Sequence, residues 1–145
     1  RTEILKHFLG ATGKQLLIEQ PFCCDYGYNI RVGENFYANM GCTILDEALV
    51  TFGDNVLLAP NVSIYTAGHA VNVAQRVAGW EYAYPVTVGH NVWIGGNVVI
   101  LPGVSIGDNS IIGGGSVVTK DIPANVIAVG NPCKVIRELT EDELK

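Results

Sequence analysis

Three histidines occur in the chain, His7, His69 and His90. Imidazole is the side chain that gains and loses a proton most readily near neutral pH, so each is a candidate for acid–base chemistry. Their surroundings differ. His69 stands in SIYTAGHAVN (63–72), where a regular pattern of aliphatic residues breaks off. At the root of a departing loop the last regular turn still fixes the backbone, and a side chain there is held accurately enough for proton transfer. A solvated surface histidine is the competing reading. His90 sits in the turn tripeptide GHN (89–91) and His7 in a helical stretch, and both read as structural. Cys23, Cys24, Cys42 and Cys133 form no C-x2-C pair, and none lies beside His69 in the chain. They read as reduced thiols acting as small apolar side chains, which fits a cytoplasmic protein, and nothing points to a covalent intermediate.

The pattern that His69 interrupts has a period of six. Val32, Ala38 and Ile44 are in phase, as are Phe52, Leu58 and Ile64, and then Val88, Ile94, Ile100, Ile106, Ile112 and Val118. Valine recurs two positions earlier, at 50, 56, 62, 86, 92, 98 and 104. Neither a helical period nor simple alternation gives a beat of six. A short strand followed by a turn of about 120°, three to a coil, does give it, with the aliphatic residue pointing into a prism. GDN (53–55 and 107–109), GHN and GGN (95–97) supply residues that tolerate the backbone angles of the turns. The predicted architecture is all-β: a parallel β-helix whose coils cover one another's strand edges at about 4.8 Å spacing.

Two irregularities and two ends remain. Ile44 to Phe52 is a slip of two residues, and Ile64 to Val88 is 24 residues where six would do. The loop over 65–87 therefore leaves the prism, and long loops without repeat character are often functional. It carries Arg76, Trp80, Tyr82 and Tyr84, so it is expected to fold against something, a neighbouring subunit above all. Residues 1–20 hold two short amphipathic stretches, EILKHFLG and KQLLIEQ, read as helices, and the opening Arg1 implies a truncated segment. Thr140 and Glu143 have capping-box spacing and predict a terminal helix over 140–145. The β-helix domain is assigned to 21–139.

Bulk properties exclude several classes. A net charge of −5 with no Lys/Arg stripe argues against a nucleic-acid surface. No apolar run approaches a membrane span, and no signal peptide opens the chain.

Several longer motifs carry a resemblance. CDYGYNI (24–30), FYAN (36–39), LLAPNVSIYTAGH (57–69), PVTVGHNVWIGGNVVILPGVSIGDN (85–109), GSVVTKDIP (115–123) and VGNPCKVIREL (129–139) together resemble the maltose/galactoside O-acetyltransferases. These are hexapeptide-repeat sugar acetyltransferases, close to a nodulation acetyltransferase, and the likeness spans about residues 20–139. It implies a left-handed β-helix, a homotrimer, acetyl-CoA as donor with no metal, and a sugar or glycoside hydroxyl as acceptor. The residue matching the family's general base is His69. An alcohol is a poor nucleophile at neutral pH, so a base within hydrogen-bond reach of it is needed.

The resemblance also implies the remaining site residues. Asn39 matches an acceptor-side asparagine whose amide can donate and accept. Asp25 matches an acceptor-contacting serine or aspartate, and across the two-residue slip Asp46 and Glu47 compete for a further acceptor contact. Gly96 and Gly114 match positions whose backbones touch coenzyme A; Gly96 replaces a serine of some relatives. Thr119, Lys120, Lys134 and Arg137 match coenzyme-binding positions, with Lys134 in place of an arginine. Trp93 either walls the thioester region or packs between subunits. Relatives carry further N-terminal residues that line the acceptor pocket. The alternative is a γ-class carbonic anhydrase-like zinc enzyme on the same fold. It needs three imidazoles gathered at an interface, and the expected H-x4-H pair is absent.

Overall fold

The six-residue beat is realised as a prism. In the computed structural model, which describes residues 1–145, short strands run in turn along three faces, each pairing in parallel with the strand one coil away. The first face carries Leu16–Ile18, Phe36–Ala38, Leu57–Leu58, Trp93–Ile94, Ile111–Ile112 and Val126–Val129, and Lys134–Glu138 joins it antiparallel. The second carries Phe22–Cys24, Cys42–Leu45, Ser63–Tyr65, Val99–Ile100 and Val117–Val118. The third carries Ile30–Arg31, Val50–Phe52, Val86–Val88 and Ser105–Ile106.

Residues two apart on a strand share a face, so each hexad residue and the valine before it point inward together. Val50 and Phe52, Val56 and Leu58, Val62 and Ile64, and Val86 and Val88 are all at most 2% exposed. They belong to a continuous apolar cluster of 29 buried residues. The rings of Phe36 and Phe52 stack in it with centroids 4.9 Å apart.

The corners explain the turn tripeptides. Seven asparagines hold φ between 55° and 62°, a region that asparagine tolerates better than most side chains. Between the third and first faces their amides form a ladder: Asn35 donates to Asn55 (3.0 Å), Asn55 to Asn91 (2.9 Å), Asn91 to Asn109 (3.0 Å) and Asn109 to Asn125 (2.7 Å). Beside it, Asp54 and Asp108 accept the backbone N–H of Glu34 and His90. His90 fills the equivalent slot with Nδ1, which accepts the N–H of Asp54 at 2.8 Å. His90 is thus a corner residue, as read from the sequence. Gly53 has no room for a side chain, because a Cβ there would lie 2.8 Å from the backbone of Gly89 and His90 in the next coil.

Both ends depart from expectation. A helix forms over Thr2–Phe8, but KQLLIEQ contains the strand Leu16–Ile18, whose register against Phe36–Ala38 buries Leu16 and Ile18. Strand pairing with an open coil end outweighs helical propensity there. At the other end the capping box forms, with Glu143 N–H on Thr140 Oγ1 and Thr140 N–H on Glu143 Oε2. It closes a turn over residues 141–144 in place of the expected helix, with the Glu143 carboxylate also bonded by Arg137 of the last strand.

If the prism interior carries the stability, Ile100→Ala should cost about 2–5 kcal/mol in urea unfolding. Thr87→Ala, at an exposed position of the third face, should stay within about 0.5 kcal/mol. Comparable losses for both would contradict the inward phase.

Candidate active site

The two breaks in the six-residue beat fall on one edge, between the second and third faces. At the slip, Asp46 turns inward and is fully buried. Its Oδ1 accepts the N–H of Asp25 (3.1 Å) and Tyr26 (2.9 Å), and its Oδ2 those of Gly27 (2.7 Å) and Asn29 (3.3 Å). The Asn29 amide donates to the Asp46 carbonyl. The two extra residues thus bring in a carboxylate that organises the loop of the coil below. Of the two carboxylates that compete in the sequence, Asp46 is taken up by backbone N–H groups and Glu47 is exposed. Desolvation, together with the neighbouring Glu47 carboxyl, holds Asp25 above the usual carboxylate range.

One coil higher, buried Thr66 ties the long loop to this edge. Its Oγ1 donates to the Leu45 carbonyl, accepts the Ala48 N–H, and lies 3.3 Å from Glu47 Oε2. Beyond it the loop is a folded arm. Ala67–His69 pairs antiparallel with Glu81–Ala83, and a one-turn helix, Val73–Val77, fills the tip with Asn72 as its cap. The Tyr82 ring lies over Gly68, where a side chain would collide with its hydroxyl. His69 is register partner to Glu81, with Nδ1 3.8 Å from Glu81 Oε1. Glu81 did not stand out in the sequence; the signal is its cross-strand position, visible only once the two arms are known to pair. Above the arm on the same edge come Leu101 and then Thr119 and Lys120, both exposed.

Asn39, Gly96 and Gly114 occupy a different edge, between the first and second faces. The corner there stacks Met40, Pro60, Gly96 and Gly114, linked by Asn61 N–H to Met40 O, Asn97 N–H to Pro60 O and Gly115 N–H to Gly96 O. At its Gly96 and Gly114 end this stack is a lane of bare backbone, while half-buried Asn39 and the exposed Met40 side chain lie at the other. Lys134, opposite Val129 in the antiparallel pair, caps that lane, while Arg137 lies further back on the first face opposite Ile127. Arg137 is already engaged with Glu143 at 2.7 and 2.8 Å. Hydrogen bonds from Arg137 and from the Thr140 N–H pull Glu143 down to about 2. Trp93 also lies on the first face, in a hollow of about 490 Å³ closed by Leu139, Glu143 and Leu144. The two edges are separated by the second face, whose strand Cys42–Leu45 alone spans about 13 Å at 3.3 Å per residue.

Chemically, one edge offers an imidazole backed by a carboxylate, with two further carboxyls below. The other offers the Asn39 amide, glycine backbone and a lysine. All four cysteines are free thiols. Burial, aided by the charge of Asp46, pushes Cys24 up to about 11, and burial raises Cys42 and Cys133 too, so none of these three is a ready nucleophile. His7 lies on the N-terminal helix, and His90 Nδ1 is taken by the Asp54 N–H.

This fold and these motifs define a hexapeptide-repeat acyltransferase. Residues 85–120 match the bacterial transferase hexapeptide family (six repeats). The chain is 52% identical to the galactoside O-acetyltransferase of Escherichia coli over 141 residues, 97% of this chain and 70% of that one. It superposes on a galactoside acetyltransferase in complex with coenzyme A with TM-score 0.96 and 51% identity, covering 99% of this chain and 72% of that chain. It superposes equally on a maltose O-acetyltransferase from Clostridium difficile, with TM-score 0.96, 58% identity and coverage of 97% and 75%. The chain belongs to the maltose/galactoside O-acetyltransferase family.

Asp46→Ala should leave four backbone N–H groups short of an acceptor and destabilise the fold by at least about 3 kcal/mol in urea unfolding. Glu47→Ala should be nearly silent in the same measurement. Equal, small effects would mean that the slip is not held by Asp46.

Proposed function

We propose that the protein is an acetyl-CoA-dependent O-acetyltransferase acting on a hydroxyl of a sugar or glycoside. The observation that carries this is the coincidence of His69, Asp25 and Glu47 on one edge of a chain that shares 51–58% identity with galactoside and maltose O-acetyltransferases. His69 Nε2 takes the proton of the acceptor hydroxyl as that oxygen attacks the thioester carbonyl. The tetrahedral intermediate collapses by breaking the C–S bond, and the imidazolium returns the proton to the departing thiolate. Products are the acetyl ester and coenzyme A, and no acyl-enzyme forms. Glu81 favours the tautomer with hydrogen on Nδ1 and steadies the imidazolium. At 3.8 Å the pair is electrostatic at rest and becomes a hydrogen bond only on closing by under 1 Å.

Asn39 orients the acceptor or the developing oxyanion, the Gly96–Gly114 lane admits the pantetheine arm, and Thr119, Lys120 and Lys134 meet phosphate and carbonyl oxygens. Arg137 contributes by sharing its guanidinium with Glu143.

The active protein in this reading is a homotrimer with its sites between subunits. Support comes from the two separated edges and from the outward residues of the faces. Those of the third face, Arg31, Thr51, Thr87 and Ser105, are polar, whereas the first presents Leu17, Tyr37, Leu57, Trp93, Ile111 and Ile127 in one register column. Leu57 and Trp93 are 47% and 51% exposed, an apolar stripe that a neighbouring copy would cover. No helix is long and apolar enough to cross a membrane, and four free thiols suit the reducing cytoplasm in which we place it.

His69→Ala should keep the fold and coenzyme binding yet lower kcat by roughly 10²–10⁴. Glu81→Gln should lower it by about tenfold with little change in either KM. Thiol release from acetyl-CoA with a sugar panel measures both; full activity in His69→Ala would overturn the mechanism.

A further inference from the structure

The loop below Glu47 carries more than Asp25. We propose that Tyr26 and Tyr28 form a stacking platform for the second ring of the acceptor, so that the substrate class is a two-ring glycoside in preference to a free monosaccharide. This rests on the acetyltransferase reading above.

The two rings lie 5.3 Å apart at 36° and are 46% and 61% exposed. Exposed aromatic rings are usually mobile, but the backbone beneath these is not free to move. Buried Asp46 holds the N–H groups of Asp25, Tyr26, Gly27 and Asn29. Gly27, with φ +85°, lies under the Phe8 ring, which leaves no space for a side chain. The residues on either side of Gly27 are thereby presented outward from a fixed base, at little entropic cost to a ligand that lands on them. The other ring pair, Tyr82 and Tyr84, at 5.2 Å and 39% and 55% exposed, stands on the arm itself, where Tyr82 covers Gly68, and lacks the buried carboxylate that fixes the backbone beneath Tyr26 and Tyr28.

Sugar rings have a polar rim and an apolar face of C–H bonds. A surface complementary to both needs carboxylates or amides beside an aromatic face. Here Asp25, adjacent in sequence to Tyr26, has its backbone N–H on Asp46, and the next residue, Glu47, meets Thr66 at the root of the His69 arm. Carboxyls take the hydroxyls of the ring to be acetylated, and the tyrosines take the C–H face or aromatic aglycone of the next ring.

The test is steady-state kinetics with acetyl-CoA and two acceptors, phenyl β-galactoside and free galactose. The enzymes are wild type, Tyr26→Leu/Tyr28→Leu, which keeps apolar bulk without ring faces, and Tyr26→Phe/Tyr28→Phe. Wild type should prefer the glycoside. The double leucine variant should raise KM for the glycoside about tenfold, leaving galactose kcat/KM, the KM for acetyl-CoA and the melting temperature unchanged. The phenylalanine variant should behave as wild type. Equal losses on both acceptors, or none on the glycoside, would overturn the platform. A wild-type enzyme that acetylates no sugar would instead overturn the acetyltransferase reading beneath it.

Discussion

Each coil must present its aliphatic residues in the same phase as the coil beneath it, because the strands between coils are locked by parallel hydrogen bonds. A shift of one residue would turn a buried Val or Ile outward. Nearly everything else follows from this constraint. Most strands shrink to two or three residues, corners fall to asparagine and glycine, and chemistry is pushed out of the faces into corners and insertions. The two departures from phase, at 45–49 and 66–85, lie one above the other on a single edge, joined by the contacts of Thr66 with Leu45, Ala48 and Glu47. A solenoid offers few other places where side chains of non-neighbouring coils can converge away from the core.

The periodic part of the molecule was legible in the residues alone. Hexad positions from Val32 to Val118 are buried as their phase requires, and the GDN and GHN tripeptides mark real corners. Legibility failed where local sequence and long-range pairing compete. KQLLIEQ has a helical look but supplies the strand that starts the first face, since an open coil end gains more from a paired strand than from a short helix. The terminal capping box forms as its spacing requires but closes a turn in place of the expected helix, and the Arg137 that holds Glu143 from the last strand is a long-range partner that the local motif does not reveal.

Within the candidate site the same distinction holds. His69 is conspicuous because it sits at a break in a pattern. Asp46 and Glu47 look alike in sequence, and only the direction of the slip separates the carboxylate that gathers four backbone donors from the one left exposed. Glu81 carries no signal in the linear sequence at all, since eleven residues, a helical turn among them, separate it from the imidazole it faces. What family resemblance groups as one site the folded chain divides: Asp25, Glu47, His69, Thr119 and Lys120 on one edge, Asn39, Gly96, Gly114 and Lys134 on another. The apolar first face and the glycine lane adjoin each other, and the trimer proposed above has the arm of one chain meet the lane of the next.

That division is most directly tested by complementation between two defective chains. His69→Ala and Asn39→Ala variants, each with little activity alone, are co-expressed with different tags and purified as mixed assemblies. In a mixed trimer of either composition, sites formed between subunits pair an intact His69 with an intact Asn39 at about one interface in three. The account predicts acetyltransferase activity restored to about a third of the wild-type value. Mixed assemblies no more active than the weaker parent would contradict it.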